Sequence, residues 1–114
     1  MKEVKAYVRP EQLSNIVSRL EQEGAQDLTV TRGDAIGALA DVEKDRLRLC
    51  RSYSEKYSDI AKIEIVCTDA EVDRFVGVLR EASYTGERGD GRIFVLNVER
   101  AINIRTGVEG EKAL

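Results

Sequence analysis

The run Lys62-Ile63-Glu64-Ile65-Val66-Cys67-Thr68-Asp69-Ala70-Glu71-Val72-Asp73-Arg74-Phe75-Val76-Gly77-Val78-Leu79 contains a complete change of period. Its first six residues, rich in β-branched and apolar side chains, read as a strand. Thr68 and Glu71 then stand three apart, the spacing at which a side-chain oxygen and a carboxylate satisfy each other's backbone N–H at a helix start. Behind them Val72, Phe75, Val76 and Leu79 fall at i, i+3, i+4 and i+7, one apolar stripe on a helix. The apolar run Arg92–Val98 supplies a second strand, so residues 62–98 form one β-α-β unit.

The first half of the chain repeats this pattern. Val4, Ala6 and Val8 alternate with Lys5, Tyr7 and Arg9, the period of a half-buried strand. Pro10 suits a first helical turn, and Leu13, Ile16, Val17 and Leu20 form the stripe behind it. Gly24 ends that helix as a left-handed cap, and Asp27–Thr31 follows as a strand. Two such units in one short chain predict an α+β domain of the ferredoxin-like kind. Its order is β-α-β-β-α-β, with a four-stranded antiparallel sheet and both helices on one face. Ile93, Phe94, Val95, Leu96 and Val98 are apolar on both sides of the last strand. Since the helices cover only one face, an oligomer is expected to cover the other.

Composition bounds the function. The 114 residues suffice for one domain, 1–114, and 42% hydrophobic with 34% charged residues describes a globular chain. A net charge of −3 and 5% aromatic residues speak against nucleic acid as a partner. Histidine is absent, which removes the commonest metal ligand and general base, and no nucleophile–base pair stands out. An enzyme is therefore not expected, although small ferredoxin-like folds include acylphosphatases, and Arg105 with Asn103 keeps that alternative open. No stretch reaches the roughly 20 apolar residues of a membrane span, and the start has no apolar leader, so a cytoplasmic protein without membrane insertion is expected. Cys67 reads as a small core residue and Cys50 as a thiol in a polar segment.

Two segments carry functional signals. Arg32 to Asp59, some 28 residues with six acidic and six basic side chains, has little reason to collapse on itself. It reads as a recognition loop, with Arg46, Arg48 and Arg51 as partner-facing charges and part of 46–51 extended as a ribbon. Thr85-Gly86-Glu87-Arg88-Gly89-Asp90-Gly91-Arg92 places three glycines and two arginines ahead of the last strand. Successive amides in such a turn form a concave nest for an anion, although Asp90-Gly91 is also an ordinary turn signal.

The strand at 62–66, this octet running into Ile93-Phe94-Val95, Arg105-Thr106-Gly107 and Thr29-Val30-Thr31 ahead of a long loop together resemble the PII nitrogen-regulatory family. The resemblance covers residues 1 to about 112, with the loop as its gap. It implies a homotrimer that binds adenine nucleotides (ADP, AMP or ATP) between subunits and regulates a transporter or enzyme through the loop, without a cofactor. It implies nucleotide contacts at Thr29, Gly37, Glu64, Thr85, Gly89, Asp90, Gly91, Arg92 and Arg105. Tyr53, or its competitor Tyr57, matches the family's modifiable loop tyrosine. Arg92 replaces the family's usual lysine, and Asn103 replaces an arginine. The loop base, Gly33 to Leu39, lacks the family's glutamine, Ile60 replaces a lysine, and the loop is about two residues longer. These departures point away from 2-oxoglutarate sensing and towards a divergent branch, for example one tied to inorganic carbon such as bicarbonate.

Overall fold

The computed structural model describes residues 1–36, 48–49 and 56–114. Strand β1 (Lys2–Val8) leads through a 3-10 turn at Pro10–Gln12 into helix α1 (Leu13–Gln22), and β2 (Thr29–Ala35) follows. A two-residue strand β3 (Arg48–Leu49) precedes the long β4 (Lys56–Cys67); helix α2 (Val72–Ser83) and β5 (Gly91–Asn97) complete the domain. The sheet runs β2-β4-β1-β5, every pair antiparallel, with β3 pairing β4 off this path. This is the ferredoxin-like order predicted above.

One face of the sheet holds the core. Val4, Ala6 and Val8 of β1 and Ala61, Ile63, Ile65 and Cys67 of β4 meet Ile16 and Leu20 of α1 and Phe75, Val78, Leu79 and Ala82 of α2. Cys67 is a buried free thiol, and burial pushes its pKa up, as a core role requires. Helix α1 ends as expected: Gly24 has φ +92°, its N–H donates to the Glu21 carbonyl, and the Ala25 N–H reaches back to Leu20. Those two bonds define a Schellman cap.

At the start of α2 the Thr68 N–H donates to a Glu71 carboxylate oxygen at 3.0 Å, and the Thr68 hydroxyl meets the same oxygen at 3.0 Å. These bonds hold the Glu71 carboxyl below its ordinary range. A depressed folded pKa contributes stability above the unfolded value and loses it as pH falls through the folded one. Glu71→Ala should therefore cost about 1 kcal/mol at neutral pH. Urea unfolding at several pH values should show that difference shrinking as the carboxylates protonate.

Both expected ends of the 32–59 loop are strand. Arg32, Gly33, Asp34 and Ala35 pair with Ala61, Ile60, Asp59 and Ser58, so β2 and β4 continue outward as a two-stranded ribbon. The charged, glycine-containing sequence hides this, because a backbone ladder needs no apolar alternation once its register is set by the core. Further out, Arg48 and Leu49 pair with Tyr57 and Lys56, which bears out an extended ribbon for those two residues. Gly37, Arg46, Cys50, Arg51 and Tyr53 lie outside the described residues.

Among the described residues, the other face of the sheet carries no helix. Register places Glu3, Lys5 and Tyr7 of β1 beside Leu96, Phe94 and Arg92 of β5 on one side and Val66, Glu64 and Lys62 of β4 on the other. Phe94 is 45% exposed, Leu96 41% and Val66 40%. Phe94 packs edge-on against Tyr7, with ring centroids 6.1 Å apart. Between these apolar residues runs a charge lattice: Lys62 Nζ lies 2.7 Å from Glu64 Oε1, and Lys5 Nζ 3.8 Å from Glu3 Oε1. The Lys62 bond, with a second from Glu3, pulls the Glu64 carboxyl down, while sharing that contact pushes Glu3 up.

Candidate functional site

The octet is a turn organised around its own aspartate. The Asp90 carboxylate accepts the Thr85 N–H at 2.8 Å, the Gly86 N–H at 3.1 Å, the Thr85 hydroxyl and Arg9 Nε at 3.2 Å. Burial opposes its ionisation, but the bonds from Thr85, Arg9 and Gly86 outweigh it, so Asp90 titrates below the usual carboxylate range. The Glu87 N–H turns back to the Thr85 hydroxyl at 3.3 Å. Gly86, Gly89 and Gly91 all have positive φ. The left-handed backbone expected of the turn is present, and its first amides already hold an anion supplied by the chain itself.

Arg9 is the residue that sequence reasoning missed. Strand alternation assigned it to the solvent side with Lys5 and Tyr7, yet it is only 5% exposed. Its guanidinium reaches both Asp90 and, through Nη2, the Arg88 carbonyl at 2.5 Å. Pro10 fixes the extended backbone at Arg9 (φ −65°, ψ 132°), which ends the pleat there and releases the side chain from the strand's alternation. The neighbouring Pro10 was the available signal.

Thr29 and Glu64 form a second cluster on the other edge of the sheet. They are directly paired across β2 and β4 and border a cleft of about 660 Å³. Leu28, Val66 and Phe75 give the cleft an apolar lining, Glu3 and Glu71 an acidic one, and Ala113 and Leu114 flank it. Thr29 is exposed and Glu64 half-buried, with the Glu64 carboxylate kept ionised by Lys62.

Arg105 stands on a small turn beyond β5. The Asn103 side-chain oxygen accepts the N–H groups of Arg105 and Thr106, both at 3.0 Å, and the Gly107 N–H donates to the Asn103 carbonyl at 2.8 Å. A bridge between Ile102 and Glu109 closes the turn. Asn103, read from sequence as a missing arginine and, with Arg105, as an acylphosphatase-like pair, is the residue that shapes the turn carrying Arg105. The short reach of an Asx side chain to amides two and three residues ahead is its usual turn chemistry.

The chain brings Thr85, Gly89, Asp90, Gly91 and Arg92 together, and separately Thr29 and Glu64. It does not unite the two groups. Thr29 lies on edge strand β2 and the octet leads into edge strand β5, with β4 and β1 between them. Three strand spacings put them at least about 14 Å apart.

Known proteins show the same arrangement of sequence. Residues 1–108 match the family described as Nitrogen regulatory protein P-II. A protein of that name from Bradyrhizobium diazoefficiens is 38% identical over the full length of both chains. Nitrogen regulatory protein P-II 2 of Methanothermobacter thermautotrophicus is 36% identical, covering all of this chain and 97% of its own. Among solved structures, B. subtilis GlnK superposes with a TM-score of 0.78 at 29% identity, covering 99% of this chain and 97% of that one. Fold, full-length match and the octet at the mouth of β5 agree: the chain belongs to the PII family of nitrogen regulatory proteins.

Proposed function

We propose that this PII protein acts as a homotrimer that binds adenine nucleotides in clefts between subunits and regulates a partner transporter or enzyme through the segment between β2 and β4. The division of the site between opposite sheet edges carries the reading. A ligand using both halves either lies across the open face or is shared by two chains. A ligand along the Glu64–Lys5–Phe94 row would leave Leu96 and Val66 open, whereas a second chain covers them together with Phe94, all of which otherwise stay nearly half exposed. In a shared cleft the ionised Glu64 carboxylate suits the exocyclic amine of adenine, a donor, and repels the carbonyl that guanine carries there. Arg92, Arg105 and the amides of the octet supply positive charge and donors for phosphate oxygens. Gly37 and the partner-facing Arg46, Arg48, Arg51 and Tyr53 belong to the same proposal; of these, only the Arg48 backbone lies within the described residues.

Calorimetric titration of the full chain with ATP, ADP, AMP, cyclic AMP, 2-oxoglutarate and bicarbonate tests it. With Asn103 engaged in its own turn and no second arginine beside Arg105, ADP or AMP should bind at least as tightly as ATP. 2-Oxoglutarate should add nothing. Tight ATP binding strengthened by 2-oxoglutarate would instead mark a conventional nitrogen sensor, and a chain that binds none of these nucleotides would overturn the proposal.

A further inference from the structure

Arg9 holds two different parts of the octet at once: the Asp90 carboxylate through Nε and the Arg88 carbonyl through Nη2. The second contact has a consequence set by covalent geometry. A trans peptide is planar, and its C=O and N–H point in opposite directions. With no cis bond among the described residues, drawing the Arg88 carbonyl inward to a buried guanidinium turns the N–H of the same peptide, that of Gly89, away from the protein. Meanwhile Asp90 takes the amides of Thr85 and Gly86. The octet is thereby divided: its first amides close on an internal carboxylate, and the peptide at 88–89 is held with its donor outward.

We infer that Arg9 is a positioning residue for the phosphate site, fixing the 88–89 peptide so that the Gly89 N–H is the donor presented to a phosphate, and that Asp90 is the internal anchor of the turn rather than a ligand contact. The inference deepens the nucleotide reading and rests on it. Arginine suits the task because its rigid fork aims Nε at a carboxylate and Nη2 at a carbonyl in fixed directions, whereas lysine carries its donors on one freely rotating nitrogen and fixes neither direction. Close approach of β5 to β1, where Gly91 pairs with Val8, keeps the octet within reach of this guanidinium.

The test compares the full-length wild type with Arg9→Met and Arg9→Lys, titrated with ADP and with adenosine. For Arg9→Met, ADP affinity should fall about tenfold or more, while adenosine changes by less than about twofold. Arg9→Lys should fall between, and it carries the comparison if Arg9→Met does not fold. Nitrogen-15 NMR of the ligand-free protein gives a readout independent of nucleotide: the Thr85 and Gly86 amides should exchange faster and the Gly89 resonance should shift in either variant. Equal ADP affinity in wild type and variants, or equal losses for ADP and adenosine, would overturn the inference. If the wild type itself binds no nucleotide, the functional reading fails; unchanged amides at 85, 86 and 89 would then refute the anchor as well, and altered ones would sustain it.

Discussion

Gly91→Ala should strip the domain of much of its stability. A Cβ at that position would lie 1.8 Å from the Tyr7 carbonyl oxygen and 2.9 Å from its carbon, backbone atoms of the neighbouring β1. Gly91 also sits at φ +115°, where a side chain is strained even in open space. No rotamer relieves either problem, so β5 must separate from β1 at its first residue, where the octet is anchored. We expect a loss of about 3 kcal/mol or more, a large part of the 5–15 kcal/mol typical of a domain, and a drop in melting temperature of about 15 °C or more. Gly77→Ala is the control. Its added Cβ meets nothing within 4 Å, and it lies inside α2, where alanine is the better helix former, so it should melt at or above the wild-type temperature. Circular dichroism melts of the two variants decide this. A Gly91→Ala chain melting within a few degrees of wild type would mean that β1 and β5 separate easily.

The second large effect is expected on assembly, from Leu96→Glu. Leu96 lies across from Glu3 on the open face, and Glu3 already shares a contact with Glu64 that raises its pKa. Adding a carboxylate there places three acidic groups on one patch. If that face is closed by neighbouring subunits, each trimer must bury the new charge or fall apart, and an unpaired buried charge costs several kcal/mol. In a single chain Leu96 is 41% exposed, so folding itself should change by only about 1 kcal/mol. Light scattering should therefore give about three times 12.7 kDa for wild type and close to 12.7 kDa for the variant, with the helical signal retained. A variant that keeps the wild-type mass would place the subunit contacts elsewhere.

How much of this was legible in the sequence follows from which interactions are local. The helix stripes, the Gly24 cap and the Thr68–Glu71 capping box are written in neighbouring residues, and each stands where its spacing put it. The strand extensions at Arg32–Ala35 and Lys56–Asp59 were not legible, because backbone pairing carried outward from a fixed register leaves no mark in side-chain pattern. The same division holds for the site. The octet declares itself through its glycines. The residue that grips it, Arg9, lies 81 positions from Asp90 and looks like one more polar residue in an alternating strand. Asn103 misled differently: compared with a family position it reads as a lost charge, whereas its own neighbours, Arg105 and Thr106, show it building a turn.

Strand β4 is one uninterrupted twelve-residue element, rooted in the core at Cys67 and ending at Lys56 in the ribbon. Mechanically it is a lever whose fulcrum lies where Glu64 borders the cleft. The eight residue steps from Glu64 to Lys56 span about 27 Å, so a tilt of about 10° at the cleft sweeps the far end through about 5 Å. Hydrogen bonding to β2 and β3 resists stretch and slippage and leaves bending as the soft coordinate. Small rearrangements at the inner end thus need no relay of side chains to be felt at the outer one; with three residue steps, about 10 Å, between Glu64 and Cys67, the backbone itself multiplies them about two- to threefold.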